Sequence, residues 1–460
     1  MLERTGNMHN SMEKSINGMK VAMHNLGCKV NSYEMDIMGQ KLKAAGCEIV
    51  PFTDKADIYI INTCTVTNIA DRKSRQMLHR AKKENPEAVV VAVGCYVETG
   101  IEGVKKDECI DLAVGNNKKS EIVEILNTFF EAKGDTDKTL GGSSIIDINH
   151  TDVFEEMLLS DMPEHTRAYI KIQDGCNQFC SYCVIPYARG RIRSRDENDI
   201  LGEIRGLIQK GCKEVVLTGI HISSYGVDKG KAALIDLVEK IGELSGIERI
   251  RLGSLEPRII TPENAKRLAA VSKLCPHFHL SLQSGCDSVL KRMNRHYTTS
   301  EFREGVRLLR ECFDRPAITT DVIVGFPGET EEEFEESRRF VEDINFYEMH
   351  VFKYSPRKGT VAAGMKEQLT DREKTLRSDV LIHMTRTQSE VYRNNFVGQK
   401  VRILWEDMEE IKGKEYMIGH TERYVRIAMS SDDDRFSEKL SGTITEENVK
   451  GFLNLDTLLI

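Results

Sequence analysis

Three cysteines, Cys176, Cys180 and Cys183, fall within eight residues and follow directly on a short run at 169–173 that reads as a β-strand. Three thiolates at this spacing can wrap three irons of a cubane iron–sulfur cluster, whose usual ligation takes four cysteines. The fourth iron then has no protein ligand and is open to a substrate or cofactor. Zinc would need a fourth Cys or His nearby, and none falls in the run. A loop of this kind at a strand end constrains the fold, because active sites of parallel barrels lie at the carboxyl ends of their strands.

The pattern around the loop agrees. From about residue 20 to 126, apolar runs at 21–24, 58–62, 89–93 and 111–114 alternate with helical patterns at 34–45, 70–83 and 120–126. Such alternation predicts βαβ units and a parallel sheet. Residues 132–160 carry Gly, Asp, Thr and Ser with little periodicity and read as a linker. Strand patterns recur at 169–173, 214–218, 249–253, 277–281, 317–324 and 348–352, separated by helical stretches such as 198–210 and 330–342. Six strands with crossover helices predict an incomplete parallel barrel, followed by a long polar helix at 371–394. After residue 397 the character changes to short runs at 400–404, 416–420 and 424–428 between charged turns, which predicts a small antiparallel barrel. The expected organisation is α/β: an N-terminal parallel-sheet domain at 19–131, a linker at 132–164, a partial (β/α)6 barrel at 165–395 and a small β-barrel at 396–460.

A second set of cysteines is spread along the first segment. Cys28, Cys64 and Cys95 each sit just after the carboxyl end of an expected parallel strand, in Leu26-Gly27-Cys28-Lys29-Val30-Asn31, Asn62-Thr63-Cys64 and Gly94-Cys95. Ligands of open α/β sheets gather in that crevice. Glycine before Cys28 and Cys95 permits a tight turn and close backbone approach. Three converging thiolates again fit a cluster with one open iron, although free cysteines are also often simply buried. Cys47, Cys109, Cys212, Cys275, Cys286 and Cys312 lack such placement and read as structural.

The CxxxCxxC loop resembles that of the radical SAM superfamily, and the likeness continues residue by residue. It implies that the open iron binds S-adenosylmethionine (SAM), whose reductive cleavage gives a 5′-deoxyadenosyl radical. Tyr182 stands where that superfamily has an aromatic residue beside the adenine, and Gly219 lies at the second strand end. Ser254 and Glu256 follow the third, Gln283 the fourth, and Ile323 lies on the strand that resembles the adenine-contacting one, with Asp321 replacing its first glycine. Both cysteine sets, together with Gly325-Phe326-Pro327-Gly328-Glu329-Thr330 and Tyr354-Ser355-Pro356-Arg357-Lys358-Gly359-Thr360, resemble the methylthiotransferase family over nearly the whole chain. This resemblance implies an auxiliary 4Fe-4S cluster on Cys28, Cys64 and Cys95, a SAM-binding 4Fe-4S cluster on Cys176, Cys180 and Cys183, and a C-terminal TRAM domain. It implies SAM as both radical source and methyl donor, and transfer of sulfur and a methyl group to an unactivated carbon. Implied partners are the tRNA anticodon stem-loop, an electron donor such as flavodoxin or ferredoxin, and a sulfur source.

Members of the family act on threonylcarbamoyladenosine in tRNA, on isopentenyladenosine in tRNA, or on an aspartate of a ribosomal protein. Leu-Gly-Cys-Lys-Val-Asn at 26–31 is most similar to the first type, which implies methylthiolation at C2 of N6-threonylcarbamoyladenosine at position 37. The carboxylate of that nucleoside calls for a cation, and Arg357 or the run at 189–195 could supply it. A sulfur-inserting enzyme on a small molecule, or a non-catalytic iron–sulfur RNA-binding or sensor protein, would not account for all of these motifs.

Charge bears on the RNA. The formal net charge of −8 argues against a strong non-specific nucleic-acid binder, so a local patch is sought. Arg189, Arg191, Arg193 and Arg195 directly follow the cysteine loop and are expected to meet phosphates. In the acidic C-terminal segment, contact is expected on one face carrying Lys400, Arg402, Arg423, Tyr424 and Arg426. No apolar stretch approaches the roughly 18–20 residues that span a membrane, and residues 1–20 lack the apolar core of a signal peptide. A cytoplasmic protein is therefore expected.

Overall fold

The computed structural model describes residues 16–133, 142–163 and 166–460. The chain divides into two compact units, Met1–Ser160 with Val184–Arg191, and Asp161–Cys183 with Ile192–Ile460.

In the first unit, β1 (Lys20–Asn25), α1 (Lys29–Ala44), β2 (Glu48–Val50), β3 (Ile58–Thr63), α2 (Asn68–Glu84), β4 (Val89–Gly94), α3 (Cys95–Val104), β5 (Leu112–Val114), α4 (Ile122–Lys133) and β6 (Gly142–Ser144) follow in order, and α5 (Ile185–Ala188) joins them from later in the chain. The described strands form one parallel sheet in the order β2-β1-β3-β4-β5-β6. β3 and β4 are buried along their whole length, as continuous apolar strands covered on both faces must be. The register pairs Asn25 with Asn62 and Thr63 with Gly94, so β1, β3 and β4 end at one edge.

Two expectations are corrected here. Helix α1 begins at Lys29 rather than 34, which places Cys28 at its N-cap. The expected linker is structured in part. β6 adds to β5, Tyr33 donates to the Met157 carbonyl at 2.6 Å, and Glu155 accepts from the Ser120 N–H at 2.7 Å. Its polar composition hides this because β6 carries only Gly and Ser. Residues 134–141 and 164 of that linker, and 1–15 of the polar N-terminus, lie outside the described residues.

The second unit runs β7 (Ala168–Asp174), β8 (Arg193–Ser194), α6 (Glu197–Gln209), β9 (Glu214–Gly219), α7 (Leu234–Gly242), β10 (Arg249–Leu252), α8 (Pro262–Ala270), β11 (His277–His279), α9 (Asp287–Arg292), α10 (Thr299–Cys312), β12 (Ala317–Val324), α11 (Glu331–Ile344) and β13 (Glu348–Lys353). Parallel pairing joins β7 to β9 and β9 to β10, and β11 to β12 and β12 to β13. Isolated parallel bridges, Ile250 with Leu274 and Leu255 with Leu280, connect the two groups. Thr298, Thr330 and Thr370 open α10, α11 and α12 (Asp371–Asn394) with reciprocal capping boxes to Glu301, Glu333 and Glu373.

Strands β14 (Lys400–Ile411), β15 (Lys414–Thr421), β16 (Arg426–Ser430), β17 (Ile444–Asn448), β18 (Gly451–Asn454) and β19 (Thr457–Leu459) form the C-terminal sheet in the order β17-β14-β15-β16-β19-β18. It is antiparallel except between β16 and β19, which pair in parallel. The sheet packs on the amino ends of the parallel strands through a buried charge cluster. Glu214, the first residue of β9, takes Arg167 and Arg251 at 3.0 Å and Arg249 at 3.6 Å. Arg249 also donates to the His420 and Arg402 carbonyls, and Arg251 to that of Glu422. Tyr424 lies under the Arg167 and Arg251 guanidinium groups, at 5.1 and 4.7 Å, and stacks on His420. The residue expected to face RNA is thus committed to this packing.

Burial pushes the Glu214 carboxyl up, but Arg251, Arg167 and Arg249 outweigh it and hold it at about 2. Its stabilisation is therefore present above the ordinary carboxylate range and lost as pH falls toward 2. Glu214→Gln should cost about 3 kcal/mol near neutral pH, because it leaves buried guanidinium groups uncompensated. In urea unfolding, the difference between parent and variant should shrink between pH 7 and pH 3; a difference that stays constant contradicts this assignment.

Candidate active site

The first thiol set stands where three adjacent parallel strands end. Cys28 caps α1 three residues after β1, Cys64 directly follows β3, and Cys95 directly follows β4 as the first residue of α3. Glycine is needed before two of them. Gly94 has φ 96°, and a Cβ there would lie 2.7 Å from Asn62 Oδ1 and 3.1 Å from the Thr63 carbonyl. A Cβ on Gly27 would lie 2.4 Å from Asn31 Nδ2, which donates to that same Thr63 carbonyl.

Cys95 is buried and accepts two N–H groups, from Arg189 Nε at 3.4 Å and from Asn116 Nδ2 at 3.6 Å. Behind it, Arg189 and Lys119 are both fully buried and both bind the carboxylate of Glu34. A second carboxylate, Glu98, accepts the Asn116 N–H at 2.6 Å beside these cations, and burial pushes its carboxyl up to about 7. Burial pushes the Cys64 thiol up to about 11, so a bare thiol here would stay protonated.

The second set lies on the loop after β7. Gly175, at φ 71°, turns the chain into Cys176; Cys180 is buried, and the Cys183 N–H returns to the Cys180 carbonyl at 2.9 Å. The loop is braced by 292–294: Ser181 Oγ donates to the Arg292 carbonyl at 2.8 Å, its N–H to that of Met293, and Asn294 Nδ2 to that of Phe179. Arg295 Nη1 lies 3.2 Å from Cys180 Sγ. Burial pushes the Cys176 thiol up to about 11 and raises the Tyr182 hydroxyl as well.

The donor chemistry of each set, three thiolates, fits a cubane cluster. Among the described residues, the groups whose donor atoms all lie within 4.8 Å are His79, Asp107 and Cys109, and His279, Asp321 and His350; neither thiol triad is among them. Each triad can hold a cluster by three thiolates with one iron open.

The remaining strand-end residues gather at the same edge of the second unit. Gly219 ends β9, where a Cβ would lie 2.8 Å from the Gln173 carbonyl. Ser254 is exposed after β10, and the Glu256 N–H two residues on donates to Ser223 Oγ. Gln283, at φ 69°, bridges to β12 beside Ile323, which packs with Tyr182 and Phe326 in one apolar cluster. The Gly-Phe-Pro-Gly-Glu-Thr segment is a turn whose Gly325, Phe326, Pro327 and Glu329 are buried. Glu329 accepts the Gly325 N–H at 2.7 Å and pairs with Arg377 at 2.6 Å.

The arginine run is corrected. Arg189, Arg193 and Arg195 are buried: Arg189 on Glu34, Arg193 3.9 Å from Asp174, and Arg195 on Glu203. The short β8 pairing with β7 turns Arg193 inward, so its charge serves the core rather than a phosphate. Arg191 is half-buried. In the C-terminal sheet, Lys400 pairs with Glu446, Arg402 with Glu248 and Glu422, Arg423 with Asp314 and Arg426 with Glu409, so the expected basic face is largely neutralised. Sequence spacing gave no sign of Arg295 or Asn116, which reach Cys180 and Cys95 from distant segments, or of Glu34 and Lys119, which act through Arg189.

Comparison with known proteins identifies the family. Residues 170–341 match the Radical SAM superfamily model, and residues 20–115 match "Uncharacterized protein family UPF0004". The chain is 38% identical to the "Threonylcarbamoyladenosine tRNA methylthiotransferase MtaB" of Bacillus subtilis (strain 168), over 90% of this chain and 91% of that protein. It is 33% identical to the "tRNA-2-methylthio-N(6)-dimethylallyladenosine synthase" of Clostridium tetani (strain Massachusetts / E88), over 91% and 92%. The solved structure of the radical S-adenosylmethionine methyltransferase TsrM from Kitasatospora setae shares the fold, with a TM-score of 0.54 and 16% identity over 74% of each chain.

Gly94→Ala should destabilise the first unit by about 1–3 kcal/mol, because both the backbone angle and the space forbid a Cβ. Gly103→Ala, in α3 with nothing within 4 Å of the added Cβ, should be neutral or stabilising by up to about 1 kcal/mol. Urea unfolding of the two variants checks this; equal effects would remove the constraint on Gly94.

Proposed function

The chain belongs to the radical SAM methylthiotransferase family, and on that premise we propose that it adds a methylthio group to C2 of N6-threonylcarbamoyladenosine at position 37 of tRNA. The observation that carries the reading is the pair of thiol triads, each at the carboxyl ends of parallel strands in its own unit. The enzyme works with two 4Fe-4S clusters and SAM, which when bound supply the radical, the sulfur and the methyl group.

The protein's own residues hold and orient. Cys176, Cys180 and Cys183 are the ligands of the SAM-binding cluster, and Cys28, Cys64 and Cys95 those of the auxiliary one. Tyr182 and Ile323 form the apolar wall for the adenine of SAM. Gly219, Ser254, Glu256 and Gln283 line the polar side toward the methionine portion, and glycine at 219 admits the close approach of the Gln173 carbonyl. The six parallel strands of the second unit are read as a partial (β/α)6 barrel, and the C-terminal sheet as a TRAM domain. Reduced thiols and a tRNA substrate point to the cytoplasm, and no described helix is long and apolar enough to cross a membrane. An electron donor such as flavodoxin or ferredoxin and a sulfur source complete the system.

Leu26 to Asn31 and the 38% identity to a threonylcarbamoyladenosine enzyme support the nucleoside. Arg357, which is buried, is a candidate partner for its carboxylate. Arg191 is the member of the arginine run that can reach phosphate.

Anaerobically reconstituted enzyme should hold about eight irons, and Cys176→Ala/Cys180→Ala/Cys183→Ala about four. The Cys28→Ala/Cys64→Ala/Cys95→Ala variant should still form 5′-deoxyadenosine from SAM under reduction but transfer no methylthio group to tRNA. Iron near four in the parent, or methylthiolation by the second variant, contradicts the reading.

A further inference from the structure

Arg189 is the least expected member of the first thiol site. It is fully buried, and its donors divide between two tasks. Nη1 lies 2.6 Å from Glu34 Oε1, and Nη2 lies 2.6 Å from Asn31 Oδ1 and 3.1 Å from Glu34 Oε2. This holds the guanidinium plane and leaves Nε–H directed at Cys95 Sγ at 3.4 Å. Asn116 adds a second donor to the same sulfur and also binds the carbonyl of Ala188, the residue before Arg189, at 2.8 Å. Lys119 shares Glu34 Oε2 with Arg189 and reaches Asn62 Oδ1 at 3.3 Å. A clamp for the chain alone would be complete with the Glu34 pair, whereas the Nε–H selects one of the three sulfurs.

We propose that Arg189, with Asn116, is a positioning residue of the auxiliary cluster that fixes Cys95 and raises the cluster's reduction potential. The proposal rests on Cys28, Cys64 and Cys95 being the ligands. A 4Fe-4S cluster held by three thiolates is anionic and gains a further negative charge on reduction. N–H donors to a ligand sulfur and a fixed cation beside it stabilise the reduced state more than the oxidised one. Only a guanidinium can fork onto a carboxylate and an amide and still offer a third N–H, so lysine cannot replace it in full.

The test uses the full-length Cys176→Ala/Cys180→Ala/Cys183→Ala protein, in which the auxiliary cluster is the one cluster left. Iron content and an EPR-monitored redox titration are compared with those of Arg189→Gln, Arg189→Lys and Asn116→Ala on the same background. The midpoint potential should fall most in Arg189→Gln, less in Asn116→Ala and Arg189→Lys, with a changed EPR signal of the reduced cluster. If Arg189→Gln fails to hold iron, the two milder variants decide: midpoints equal to the background protein overturn the proposal. A background protein with about four irons but no shift in any variant overturns this inference alone, whereas one with no iron overturns the ligand assignment beneath it.

Discussion

A cluster bound by three thiolates demands that three sulfurs converge on one point while the backbone behind them stays rigid. Both proposed ligand sets rest on the same device, the carboxyl end of a parallel strand. In the first unit the sulfurs are 36 and 31 residues apart in sequence, and only the adjacency of β1, β3 and β4 unites them. In the second unit one loop carries all three, and its neighbours 292–295 hold it in shape. The glycines at 27, 94 and 175 follow from this constraint, since each turn must clear a strand end within one or two residues.

Charge is distributed to the same purpose. At the amino ends of the second unit's strands, Glu214 and three arginines bind the C-terminal sheet. At the carboxyl ends lie the thiols and the open strand ends. Stability and chemistry thus occupy opposite ends of the same strands, as in other parallel α/β architectures. In the first unit, Glu34, Lys119 and Arg189 form a buried polar group directly behind the thiols. Buried charges are costly unless paired, and here the paired group is turned toward a site that receives an anion.

Much of this was legible in the sequence. Continuous apolar runs at β3 and β4 and the position of each cysteine behind a run located both thiol sets. The Gly-Cys pairs marked the tight turns. What escaped was the direction in which charged side chains point. Four arginines in seven residues look like a phosphate-binding loop, but three are buried, because β8 pairs with β7 and α5 packs with the first unit. Tyr424 was legible as an aromatic residue between Arg423 and Arg426 in an acidic segment, yet its place under Arg167 and Arg251 depends on partners more than 170 residues away. The strand β6 was hidden for a different reason: Gly-Ser-Ser carries no side-chain pattern, and its pairing is set by backbone hydrogen bonds alone.

The two tRNA nucleosides differ in a way that a site can read. One carries a polar group ending in a carboxylate and the other a branched hydrocarbon. A site that pairs a buried cation with the carboxylate leaves it unpaired against the hydrocarbon, which can discriminate by about 10⁴-fold. The decisive measurement offers reconstituted enzyme, with SAM, reductant and a sulfur source, a mixture of purified tRNAs carrying N6-threonylcarbamoyladenosine and N6-isopentenyladenosine, and analyses the nucleosides by mass spectrometry. The 2-methylthio product is expected on the threonylcarbamoyl nucleoside alone; preferential modification of the isopentenyl nucleoside would overturn the substrate assignment.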